Sequence, residues 1–225
     1  MRSLPLPLAL TARLLPVAVL ACTGWAMSSG SSTSPSTPTG TGTEHKSAQD
    51  TQNPAQPSST AATKTYTAAP APCTSVTTKT ITSLVPGTKT AGQEIASTDR
   101  AVRRTCSWNA LKGFDYRWLD VSYEIMGSDA AAQKSYQERM TKKSGGGPVP
   151  GLGDGGYSVV NLTTEDKQQT REGVVIARVS NALVAVTYNG SDFETKKAPS
   201  TDEINKGAIK AAKEVVATLE NGRKS

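Results

Sequence analysis

Gly151-Leu152-Gly153-Asp154-Gly155-Gly156, followed by Tyr157, matches G-x-G-x-x-G letter for letter. In a strand-turn-helix unit that pattern seats a pyrophosphate on a helix N-terminus. Here Pro148-Val149-Pro150 precedes it and the strand-like Tyr157-Ser158-Val159-Val160 follows, which is the wrong context for a nucleotide. The glycines read instead as a turn that uses positive φ, and residues 151–157 are kept as the candidate binding loop. Asp154, between glycines, offers one oxygen ligand for calcium, but no EF-hand-like run of acidic positions surrounds it. Asp120 and Glu124 present two carboxylates on one side of a strand, as glycoside hydrolysis would need, although charged residues on a strand's outer face are ordinary. His45 is the only histidine and lies in a low-complexity stretch. After it no side chain can serve as an imidazole base, so nucleophilic catalysis through histidine is excluded there and Ser–Lys pairs stay open. No zinc ligand set and no cofactor fingerprint is present. Trp108, Phe114, Tyr116 and Trp118 fall within eleven positions. They would suit sugar or peptide stacking, but in a chain poor in aromatics they are expected mainly in the core.

The cysteines carry a different chemistry. Val19-Leu20-Ala21-Cys22 ends a short apolar run that follows Arg2 and Arg13. It resembles the bacterial lipoprotein signal, in which the cysteine is lipidated and becomes the mature N-terminus. Residues 1–21 are then a signal peptide, too short and Pro-interrupted to span a membrane comfortably. A cleaved signal without lipid is the alternative. With Cys22 assigned to lipid, Cys73 and Cys106 remain in a chain expected outside the cytoplasm, and one disulfide is the economical account, two buried thiols the other.

Residues 23–71 are almost entirely Ser, Thr, Pro, Gly, Ala and Gln. Such a stretch buries too little apolar surface to offset backbone entropy, so 22–72 is expected to be a disordered tether and 73–225 a single domain. The chain carries a formal +6. After residue 72 the balance is 21 basic against 17 acidic residues, a net +4, with the two signs mixed. That excludes a clustered basic surface interleaved with aromatics, and with it nucleic-acid binding.

The elements that must position these residues follow from periodicity. Residues 75–85 predict a Thr-rich helix with Val76, Ile81 and Val85 on one face, ended by Pro86-Gly87; 88–104 read as irregular or edge structure and 105–108 as a short strand. In 116–126, Leu119, Val121, Tyr123 and Ile125 alternate with Asp120, Ser122 and Glu124, a half-buried strand. Ser128 caps a helix with Ala132, Tyr136 and Met140 on one side, reaching about Lys143 and stopped by Gly145-Gly146-Gly147-Pro148. Strands follow over 157–162, 174–179 and 183–188, the last two separated by Ser180-Asn181. Ser200-Thr201-Asp202-Glu203 is a capping box for a final helix whose stripe is Ile204, Ala208, Ala211, Ala212, Val215 and Leu219. The expected fold is α+β, an antiparallel sheet of about five strands with helices mainly on one face.

The signal ending in Cys22, the Ser/Thr/Pro tether, Pro72-Cys73, Cys106-Ser107-Trp108, Val149-Pro150-Gly151-Leu152-Gly153-Asp154 and the strand pair around Asn181 together resemble the actinobacterial lipoproteins of the Domain of Unknown Function 3558 family. The resemblance implies a surface lipoprotein, a Cys73–Cys106 disulfide and a compact α+β fold, and it carries over no catalytic residue. The expected function is a non-enzymatic module on the outer face of the membrane. It would be attached through lipid and bind an envelope protein or a wall-associated molecule. A wall or glycan hydrolase using carboxylates or a Ser–Lys pair, and a small-molecule carrier or sensor, are the alternatives. The sequence assigns no oligomeric state.

Overall fold

The computed structural model of the protein describes residues 64–222. The signal at 1–21, Cys22, His45 and the tether as far as residue 63 lie outside the described residues. Seven antiparallel strands form one sheet: β1 (Gln93–Ile95), β2 (Arg103–Lys112), β3 (Asp115–Ile125), β4 (Gly147–Pro148), β5 (Gly155–Glu165), β6 (Gln168–Val179) and β7 (Ala182–Asp192), in the order β1-β2-β3-β7-β6-β5-β4. The helices are α1 (Thr78–Leu84), α2 (Asp129–Thr141) and α3 (Thr201–Gly222). The α+β class is as expected, with two more strands than the sequence signals. Both are short edge pieces: β1, inside the stretch 88–104 expected to be irregular or edge structure, pairs with Thr105 to Ser107 of β2, and β4 pairs with Tyr157 and Ser158 of β5. Two or three residues carry no readable period, so tertiary pairing alone defines them.

The central strands are longer than their apolar runs. A two-residue turn at Gly113-Phe114 joins β2 to β3, with Gly113 at φ +63°. Asp166 and Lys167 join β5 to β6 with both residues at positive φ. That turn normally takes Asn-Gly or Asp-Gly, and its missing glycine hid the hairpin in a polar stretch.

One face of the sheet is the main core. Leu119, Val121, Tyr123 and Ile125 of β3 are buried there, as the alternation predicts, with Val175, Ala177, Val184 and Val186 beside them. The expected stripe of α3 is buried against them. Close approach of α3 requires glycine at Gly207, where a Cβ would lie 2.7 Å from Tyr188 Cε1. Ser200 Oγ accepts from the Glu203 N–H (3.1 Å) as the capping box requires, but the Glu203 carboxylate turns to Arg117 Nη2 (2.9 Å).

Helix α1 lies on the same side. Five threonines within residues 74–82 are poor helix formers, and help comes from α3. Glu214 accepts from the Thr77 N–H (2.8 Å) and the Thr80 hydroxyl (2.5 Å), placing a carboxylate at the helix N-terminus. Cys73, in a 3-10 turn (Pro72–Thr74) rather than in the first helix, is bonded to Cys106 of β2, Cα atoms 5.1 Å apart.

Helix α2 packs on the opposite face. Ala132 and Tyr136 meet Val159, Val174, Ile176 and Leu183 over one end of the sheet, and Met140 adds to them. The packed structure also reaches further upstream than the expected start at residue 73. Asn181 Oδ1 accepts from the Tyr66 N–H (2.8 Å), while Asn181 Nδ2 donates to the carbonyls of Tyr66 (2.8 Å) and Met126 (2.9 Å). Ala69 N–H bonds the Ala101 carbonyl (2.7 Å). Residues 66–72 are thus packed onto the domain although composition assigned them to the tether. Composition cannot register a single tyrosine clamped by an asparagine 115 positions away.

Candidate functional site

The glycine loop is tied into the fold. Gly151 and Gly153 have φ of +70° and +57°, as expected of a turn. A Cβ on Gly153 would meet the Arg178 carbonyl at 2.4 Å, and Leu152 is buried beneath Gly156. Asp154 accepts from the Ser180 N–H (2.6 Å), lies 3.3 Å from Arg178 Nη1, and bonds Arg178 O through its own N–H (2.8 Å). Gly155 abuts the Tyr136 ring, and Tyr157 donates its hydroxyl to the Lys143 carbonyl (2.8 Å). Residues 151–157 brace the β6–β7 turn against α2. These contacts pair the polar groups of Asp154 and the Tyr157 hydroxyl, and residues 148–156 line a shallow depression beside Tyr136. With β5 starting at Gly155, no helix follows to receive a phosphate.

The other chemistries resolve similarly. Glu124 lies between Arg139 (2.5 Å) and Arg103 (3.7 Å), and Asp120 accepts from Trp118 Nε1 (2.7 Å). Each carboxylate is engaged separately, so the two do not form an acid–base pair. Among the described residues no serine hydroxyl is bonded to a lysine, and no three His, Cys, Asp or Glu side chains gather as a metal set. Surface depressions lined by β1–β2, by β5–β6–β7 and by residues 87–93 with β2 are open to solvent.

What the fold leaves uncovered is more informative. Among the described residues α2 covers only one end of its face, and no helix lies over the other end. Strand register lays side chains there in rows. Asn109, Trp118, Asn189, Glu172 and Asn161 form one row across β2, β3, β7, β6 and β5. The row toward α2 is Ser107, Asp120, Thr187, Val174 and Val159; the row away from it begins Leu111, Tyr116, Ser191. None of these positions is lysine or arginine.

Trp118 is held in place. Its indole N–H donates to Ser107 Oγ (2.8 Å) as well as to Asp120. At the rim, Tyr116 stacks on Phe193 with centroids 6.0 Å apart, and the Phe193 N–H bonds the Phe114 carbonyl (2.9 Å). Leu111, Phe114, Trp118 and Phe193 are 57%, 55%, 36% and 46% exposed, a concentration of large apolar groups at one place. Partial burial, helped by the Asp120 charge, raises the Tyr116 phenol above its ordinary pKa. Asn189 Oδ1, mid-row, is shielded and has no hydrogen-bond partner among the described residues.

Of the aromatics singled out in the sequence, only Trp108 is core, its Nε1 donating to the Thr90 carbonyl (3.0 Å). Sequence reasoning missed Asn109, Asn161, Glu172, Asn189 and Phe193. For the four polar ones the signal was a polar residue at every second position, Ser107-x-Asn109, Asn161-x-Thr163-x-Glu165, Thr170-x-Glu172 and Thr187-x-Asn189-x-Ser191, where the strands run past α2.

Compared with known proteins, the chain matches no family model and no curated protein sequence. Among solved structures, the extracellular domain of PknH from Mycobacterium tuberculosis aligns at 11% identity and a TM-score of 0.32, covering 53% of this chain and 64% of that one. The alignment spans less than two thirds of that chain, and so slight a likeness carries no argument about fold or activity.

Proposed function

We propose that this chain is a lipid-anchored, extracytoplasmic binding module without catalytic activity, held off the outer face of the membrane by its Ser/Thr/Pro tether. It meets a partner in the cell envelope through the bare half of the sheet. The observation that carries this reading is that half-sheet: a fixed tryptophan, a polar row and exposed apolar groups, with no helix over them among the described residues. Export is supported by the signal ending in Cys22 and by the Cys73–Cys106 bridge, which belongs to an oxidising compartment. Kinship with the Domain of Unknown Function 3558 lipoproteins belongs to the same proposal and rests on its residues alone.

Two measurements test it. Cys22→Ser should move the protein from the membrane fraction to the medium, and retention would refute the anchor. A photoreactive residue in place of Leu111 should form an adduct on intact cells, while one in place of Lys213, on α3, should not. Turnover of a wall fragment by the purified chain, with no adduct from position 111, would overturn the binding-module reading in favour of an enzyme.

A further inference from the structure

Resting on that reading of the bare half-sheet, we infer that its partner is a glycan strand without acidic groups, lying across the strands with Trp118 as its stacking platform. Adjacent strands are about 4.8 Å apart, so a row over five of them runs roughly 19 Å, room for a short oligosaccharide. Asn109, Asn189 and Asn161 each offer donors and an acceptor, and Glu172 accepts from two hydroxyls. Sugar hydroxyls, which donate and accept at every position, match such a row.

Trp118 supplies the apolar part. Because Ser107 and Asp120 bind its N–H, the ring is oriented before any ligand arrives, and no polar atom of it is left to satisfy. Preorganisation of this kind reduces the ordering cost of binding. The C–H face of a sugar ring fits on the plane while its hydroxyls reach the amides on either side. Asn189 Oδ1 has no donor among the described residues, and a hydroxyl lying along the row is of the kind that would supply one.

Two features decide against other partners. A protein interface has an apolar centre and a polar rim, whereas here the polar row is central and Leu111, Phe114 and Phe193 stand at the rim. The domain is net positive, yet these rows hold Asp120 and Glu172 and no cation, Arg103 and Lys89 standing only beside their β2 end, so the platform itself offers phosphate polymers, anionic headgroups and nucleic acid no cationic partner.

The test uses the purified full chain in detergent, titrated with neutral tetrasaccharides of N-acetylglucosamine, glucose and mannose, and with poly(glycerol phosphate). Calorimetry and tryptophan emission report binding. At least one neutral tetramer should bind saturably and with little dependence on salt. Trp118→Ala should weaken it at least tenfold and Trp118→Phe less than threefold, with melting temperatures showing that both variants are folded. Glu172→Lys should also weaken it, as a second position in the same row. Preference for the polyphosphate, or neutral binding untouched by Trp118→Ala, overturns the inference. If no neutral tetramer binds but position 111 yields a protein adduct on cells, the glycan inference fails and the binding module stands; if neither occurs, both fail.

Discussion

At the scale of single residues, two buried polar groups hold distant parts of the chain together. Asn181 serves three backbone groups of Tyr66 and Met126. Truncation strands them in the interior, and each unsatisfied group costs about 1–3 kcal/mol. Asn181→Ala should therefore lower stability by about 3 kcal/mol in denaturant melts. It should also release residues 64–72 to protease before the rest of the domain. Tyr123 is the second. Its hydroxyl lies 2.7 Å from Ser75 Oγ and 3.0 Å from the Val215 carbonyl, and burial pushes its pKa up to about 12. An unfolded phenol ionises near pH 10. The folded state therefore holds its proton more tightly, so this contribution is complete below about pH 10 and declines by about 1.4 kcal/mol per pH unit toward the folded value. Melts from pH 9 to 12 should show that fall, and Tyr123→Phe should make it shallower.

Among the elements, the packing of α3 on the sheet is the most sensitive joint. Glycine at Gly207 lets the helix backbone come down on Tyr188 and Leu84, and at Gly173 a Cβ would lie 2.9 Å from Ile204 Cγ2. Gly207→Val pushes the helix off a filled core, an overpacking that should cost at least about 2 kcal/mol by chemical denaturation. The β5–β6 turn behaves oppositely. Lys167 has φ +67°, a conformation favoured by glycine, so Lys167→Gly should stabilise by about 0.5–1 kcal/mol. An unchanged melting midpoint would show that this turn carries no strain. Helix α2 is the element that defines the site, since its thirteen residues cover one end of a face that the strands extend beyond.

For the whole molecule the disulfide is the main covalent brace. Cys73 and Cys106 are 33 positions apart and join the opening turn to β2 in the buried core. In the chain-entropy model closing such a loop is worth about 3–4 kcal/mol. Reduction should then lower the melting temperature by roughly 10 °C at a few degrees per kcal/mol for a domain of this size. Full thiol labelling of unreduced, unfolded protein would show that the bridge is absent. The opening segment, residues 66–76, is held by this bridge at one end and by Asn181 at the other. Loosening either should expose it first in hydrogen exchange.

Class and main elements were legible in the sequence because they rest on local patterns. Alternation in β3, the apolar stripe of α3, the caps at Ser128 and Ser200 and the turn glycines Gly151 and Gly153 each act within a few residues. The pairing of Cys73 with Cys106 was legible because, once Cys22 is read as a lipid site, two cysteines with one possible pairing remain. Tertiary structure alone decided what depends on register and layering. The edge strands β1 and β4, the clamp of Asn181 on Tyr66 and the turn of Glu203 toward Arg117 join residues whose separation no local period records. Above all, only the fold shows which polar positions share a face. Asn109, Trp118, Asn189, Glu172 and Asn161 lie on five strands in the order 2-3-7-6-5, and they become one row only because antiparallel pairing aligns them and α2 stops short of covering them.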